Sequence, residues 1–117
     1  MTTTAIDLRH LNMSQHAIKD RMDRLVSCIQ AVGVGEVVFA CKSNRTKYAD
    51  SLVLNCVTST GLVLIIDITQ NRLITGYLGT VPRVMGLYKS TGIDRIPVWL
   101  FKLLRKNEKK FSSLLTN

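Results

Sequence analysis

The sequence predicts an α+β fold: an N-terminal helix packed on a four-stranded antiparallel sheet, with a C-terminal helix. Three observations predict it. An apolar stripe of helical period runs through the first third of the chain. Four short runs rich in β-branched residues follow, separated by turns. A dense apolar block introduced by Pro97 lies near the end. The 117 residues, 46% of them apolar, suit one domain with a real core, and no internal repeat or low-complexity tract divides them. Within that domain residues 1–12 read as an arm, 13–80 as helix plus sheet, and 81–117 as a basic connection, helix and tail.

Taken in order, residues 1–12 are a polar leader with a small apolar patch at Ala5, Ile6 and Leu8, either an edge strand or a loose arm. Ser14 is placed to cap a helix from Gln15 to about Val32. Ile18, Met22, Leu25, Val26, Ile29 and Val32 recur at spacings of three and four and so line one face, and Gly33 and Gly35 stop the helix. Glu36 to Cys41 reads as a strand, and Lys42 to Asp50 as a loop carrying Lys42, Arg45, Lys47 and Tyr48. Leu52 to Val57 is the second strand, and Ser59, Thr60 and Gly61 turn it back.

Leu62 to Ile66 is an unbroken apolar run, the pattern of a strand buried on both faces. Gln70 and Asn71 sit in the turn to the last strand, Leu73 to Leu78, because Asn tolerates positive φ. A side-chain period of two puts Leu73, Thr75 and Tyr77 on one face of that strand and Ile74, Gly76 and Leu78 on the other. Thr80 to Gly92 reads as a long connection with Arg83, Tyr88 and Lys89. Asp94 and Pro97 introduce a short helix holding Val98, Trp99, Leu100, Phe101, Leu103 and Leu104. Residues 107–117 read as a basic, partly frayed tail that Phe111, Leu114 and Leu115 could dock or anchor to a partner.

Charge narrows the function. Sixteen basic and eight acidic residues give +8. Residues 1–79 hold eight basic and six acidic residues, net +2, and residues 80–117 hold eight basic and two acidic, net +6. A lopsided cationic surface points to a polyanionic partner, nucleic acid first. Three cysteines, Cys28, Cys41 and Cys56, have neither the even count of a disulfide framework nor metal-site spacing, so reduced core thiols are expected. No metal or cofactor is expected, since the sequence has two histidines without a ligand cluster and lacks a glycine-rich nucleotide loop and a nucleophile elbow. No signal peptide is evident, and the apolar runs are too short to span a bilayer, which predicts a cytoplasmic protein.

The residue types left over are those that cleave RNA without a metal. A base removes the 2′-OH proton, an acid protonates the leaving oxygen, and cations neutralise the phosphoryl charge. With His16 at 0° on an ideal helix, the apolar stripe centres near about 210°, Arg24 falls at about 80° and Arg21 at about 140°. His16, in the first turn, is on the polar side, where helix N–H groups favour anions.

The stretch Ser14 to Arg24, SQHAIKDRMDR, resembles the S-x-H-A helix with trailing arginines of some phage and polymorphic-toxin ribonucleases. Leu73 to Tyr77, LITGY, resembles the closing T-x-Y strand of the same group, the RelE-like or barnase–EndoU–colicin ribonuclease fold. That family spaces its first arginine four residues after the histidine, whereas Arg21 is five after His16. The resemblance, over roughly residues 12–80, implies a small metal-independent endoribonuclease, a toxin or phage host-takeover factor. His16 would be acid or base, Tyr77 its counterpart, Thr75 a phosphate or 2′-OH contact, and Arg21 or Arg24 the charge stabiliser. It implies RNA as substrate, free or on the ribosome, and a protein partner such as an immunity protein, antitoxin or host target. From charge alone, Lys42, Arg45, Lys47, Arg83 and Lys89 are expected to contact RNA. The alternative is a non-catalytic module that binds nucleic acid or protein. A third reading attaches Trp99, Phe101 and the tail lysines to a membrane surface.

Overall fold

A computed structural model describes residues 12–13, 22–43 and 52–115. The fold is α+β, with a four-stranded antiparallel sheet, a helix before it and helices after it. In chain order the elements are β1 (Asn12–Met13), α1 (Met22–Val32), β2 (Val37–Lys42), β3 (Val53–Thr58), β4 (Leu62–Asp67), β5 (Arg72–Leu78), α2 (Val81–Lys89), α3 (Val98–Lys110) and α4 (Ser112–Leu115). The sheet order is β1-β5-β4-β3-β2. Strands β2 to β5 form the expected meander, and the two-residue β1 adds a parallel pair beside Arg72 and Leu73.

β4 is the centre, and all six of its residues are buried, as its unbroken apolar run requires. Its alternate side chains feed two cores. Leu62, Leu64 and Ile66 join Leu25 and Cys28 of α1 together with Cys56, Leu73 and Leu78. Val63 joins Val57, Phe39 and Cys41 with Val81, Val84 and Tyr88 of α2 and Leu100 and Leu104 of α3. The sheet is therefore sandwiched, with α1 on one face and α2 and α3 on the other. α1 holds its place through Leu25, whose full burial is worth about 1.5–3 kcal/mol. Gly33, at φ +79°, ends it by donating its N–H to the Ile29 carbonyl at 2.7 Å. The β4–β5 turn uses Asn71 at φ +52°, and the Asp67 carboxylate accepts the Gln70 N–H at 3.1 Å.

Three sequence expectations change. The connection after β5 is a helix, α2, whose N-cap Thr80 accepts the Arg83 N–H at 3.4 Å and whose first turn holds Pro82. The last helix continues to Lys110, and the segment expected to fray turns at Phe111 into α4, from which Leu114 and Leu115 pack on the α1 side. The third change is in β5, which does not alternate strictly. Ile65 pairs with Thr75 but Ile66 pairs with Leu73, so Ile74 is the extra residue of a β-bulge. Leu73 moves to the α1 face with Leu78, and Ile74 packs with Ile65 and Tyr77 on the other. Thr75 and Tyr77 still share a face, but without Leu73.

α3 crosses the end of the sheet. Leu100 and Leu104 pack beneath α2, and Asn107 lies over the β3–β4 turn, donating its side-chain amide to the Thr60 carbonyl at 3.1 Å. Phe111 reaches the α1 side. The same turn is tied to the end of α1, where the Thr60 hydroxyl donates to the Gly33 carbonyl at 2.7 Å. Cys28, Cys41 and Cys56 are all buried, and none forms a disulfide. Among the described residues no helix is long and apolar enough to cross a membrane.

Candidate nucleic-acid interface

The expected site needed α1 and the Thr75–Tyr77 surface on one side of the sheet. The local chemistry of β5 puts them apart. Gly76 points opposite to its two neighbours, and a Cβ there would lie 3.0 Å from Leu25 Cδ1 and 2.7 Å from Leu64 Cδ2. α1 thus settles where Gly76 leaves room, on the face that Thr75 and Tyr77 turn away from. Arg24, exposed on α1, does not meet either hydroxyl. His16 and Arg21 lie outside the described residues, as do Arg45 and Lys47.

Thr75 is 4% exposed, and among the described residues its hydroxyl has no hydrogen-bond partner. It faces Ile65 across the sheet, in an apolar setting closed to a phosphate. Tyr77 is half-buried, and the Arg83 guanidinium of α2 lies over its ring, 5.0 Å from the centroid. Among the described residues, Tyr77 and Arg83 are expected site residues from different elements that the fold brings into contact. Lys89, at the last turn of α2, and Lys42, at the end of β2, are both exposed and belong to different elements.

Among the described residues the strongest cationic surface is on α3, where the sequence pointed less directly. Lys102, Arg105, Lys106, Lys109 and Lys110 are all exposed. Setting Val98 at 0° on an ideal helix, they fall between about 340° and about 120°, while Leu100, Leu103, Leu104 and Asn107 fall between about 140° and about 240°. The helix therefore turns one face to the core and a basic face outward. Its single acid, Glu108, leaves that face uncompensated, because its carboxylate accepts the Val81 N–H at 3.1 Å and caps the α2 N-terminus. Among the described residues none of the five cations forms an ion pair. Lys110 sits 5.5 Å from the Phe111 ring centroid and Arg105 6.0 Å from that of Phe101.

A shallow groove of about 470 Å³ follows this face, lined by Phe101, Lys102, Arg105, Lys106 and Lys109. In the first turn of the same helix Val98, Trp99 and Phe101 are large exposed apolar side chains, and of these Phe101 lines the groove. The signal for this surface was present in the sequence. Lys102, Arg105, Lys106 and Lys109 follow helical spacing, but reading residues 107–117 as a tail cut the stripe in two. No family model matches the chain, and neither a curated protein nor a solved structure matches it.

Proposed function

We propose that this protein is a non-catalytic nucleic-acid-binding module that lays the outward face of α3 along a phosphate backbone. The supporting observation is the arrangement of α3: five exposed cations on one face, with the helix's one acid withdrawn to cap α2. Such a face neutralises phosphates and releases counterions, so binding weakens steeply as salt rises. Arg83 and Lys89, exposed on α2, add to the positive charge of the molecule. The test is binding of labelled RNA and DNA across a salt series in EDTA, with the RNA recovered and sized. Salt-sensitive binding of intact RNA supports the module. Absence of binding to either nucleic acid at low salt overturns it.

A metal-independent endoribonuclease is the second reading, favoured by the Tyr77–Arg83 pair at 5.0 Å. A phenol beside a guanidinium is the pairing that an acid and a charge stabiliser would need. In the same EDTA incubations this reading requires new RNA fragments, and fewer of them from His16→Ala and Tyr77→Phe. Intact RNA, or cleavage by both variants equal to that of wild type, rejects it.

A further inference from the structure

Resting on the nucleic-acid reading, we infer that the bound strand is single-stranded and that Trp99 is the platform on which one of its bases stacks. Trp99, in the first turn of α3, is 48% exposed, while the next residue, Leu100, is fully buried in the core with α2. On an ideal helix it falls at about 100°, beside Lys106 at about 80° and one turn from Lys102 at about 40°. Lys106 is seven residues on, about 10 Å along the axis. A base lying on the indole would place its own backbone over these two lysines. Flat aromatic surface beside a row of free cations on one helix is the arrangement that holds unpaired strands, because every base has a face to stack and every nucleotide a charge to neutralise.

A duplex does not satisfy this surface. Its bases are already stacked on one another, so it would offer only phosphates and leave the indole in water unless a step were prised open, at a cost of a few kcal/mol. A bilayer suits it no better. A helix lying in a lipid interface needs an apolar face separate from its polar one. The apolar stripe of α3, Leu100, Leu103 and Leu104, is directed into the protein. The outer sector instead interleaves Val98 and Trp99, at about 0° and about 100°, with Lys109, Lys102 and Lys106 between them.

The chain has one tryptophan, so its intrinsic fluorescence reports on Trp99 alone. The protein is titrated with a short oligouridine, the matching single-stranded DNA, a duplex of equal length, heparin, and vesicles containing phosphatidylglycerol. Single strands should quench the emission and bind more tightly than the duplex. Trp99→Ala should lose about 5- to 150-fold in single-strand affinity, one stacked base's worth. Trp99→Phe should recover most of it, and heparin should bind Trp99→Ala and wild type alike. Equal affinity for single strand and duplex, unchanged in Trp99→Ala, overturns the stacking inference and leaves the nucleic-acid module standing. Failure to bind any polyanion removes both. A blue shift on vesicles without nucleic-acid binding assigns Trp99 to lipid, and self-association abolished by Trp99→Ala assigns it to a second copy of the chain. Either result overturns the inference.

Discussion

Leu25 of α1 lies 3.0 Å from the position that a Cβ on Gly76 of β5 would occupy, and this contact decides which side of the sheet the helix takes. Leu64 Cδ2 is closer still, at 2.7 Å. A methyl group at residue 76 must push apart two packed side chains in a dense core, which costs about 1–3 kcal/mol. Gly76→Ala should therefore lower the urea midpoint without changing the m-value. Its folded fraction should keep wild-type affinity for RNA, since α3 binds from the other side. A midpoint equal to wild type would mean that α1 is not seated on β5 as described.

The Thr75 hydroxyl provides a test that separates structure from catalysis. Its oxygen is buried, with no hydrogen-bond partner among the described residues. Such a group weakens the fold by about 1–3 kcal/mol relative to an apolar isostere. Thr75→Val should leave stability unchanged or raise it, and RNA binding should be untouched. If the hydroxyl instead touches a reacting phosphate or 2′-OH, Thr75→Val will lose any cleavage seen in EDTA while remaining folded.

Much of the fold was readable because it follows from local chemistry. The apolar run of β4 needs two covered faces, the stripe ending at Val32 needs one, and Asn71 takes the left-handed turn. α2 was missed although Thr80, Pro82 and the spacing of Val81, Val84 and Tyr88 all announce it. Gly86 and the polar end from Ser90 to Gly92 are residue types that loops also use. The bulge at Ile74 had no local signal, because it depends on which residues of β4 face β5. The site was less readable for a related reason. Alternation placed Thr75 and Tyr77 together, and Gly76 between them marked the thin side. That the helix would occupy this thin side, away from the hydroxyls, follows from packing and not from any motif.

Asn107 and Gly61 form a second close pair. Gly61 is at φ +93°, and a Cβ there would lie 2.7 Å from Asn107 Nδ2, the atom that donates to Thr60. Gly61→Ala should destabilise by strain and by displacing that amide, about 1–3 kcal/mol or more. Asn107→Ala should cost about 1–3 kcal/mol through the lost bond to a part-buried carbonyl. Because Asn107→Ala also removes the obstruction, the double variant should cost less than the two single ones together, by at least about 0.5 kcal/mol. Strict additivity in urea titrations would show that the two residues do not touch.

Two buried thiols and a buried phenol add to the loss of stability at alkaline pH. Burial pushes Cys56 up to about 12 from the ordinary 9.0. Burial also raises Cys28, partly offset by its hydrogen bond with the Leu78 backbone and by the Arg24 charge. Burial raises the Tyr88 phenol too. Each group holds its proton more tightly folded than unfolded, so its contribution is complete below the unfolded pKa. For Cys56 it is lost as pH climbs from about 9 towards about 12. The urea midpoint should fall above pH 9, each such group adding at most about 1.4 kcal/mol per pH unit. Cys56→Ala should flatten part of that fall, and an unchanged slope would contradict the burial of its thiol.

The cationic face of α3 makes a quantitative claim about salt. Single-stranded binding loses about 0.7 in the slope of log affinity against log salt for each phosphate contact removed. Lys102 and Lys106 both line the groove and are free of ion pairs among the described residues, so replacing both with alanine removes two contacts without unbalancing any partner. The slope should become shallower by about 1.4, two contacts at about 0.7 each. Both side chains are exposed, so the urea midpoint should stay within about 0.5 kcal/mol of wild type. Arg24→Ala is the control, since it removes an exposed cation from α1 across the sheet and should leave the slope as it was. If Arg24→Ala lowers the slope and the Lys102/Lys106 pair does not, the strand is held by the opposite side of the molecule, and α3 is not its binding face.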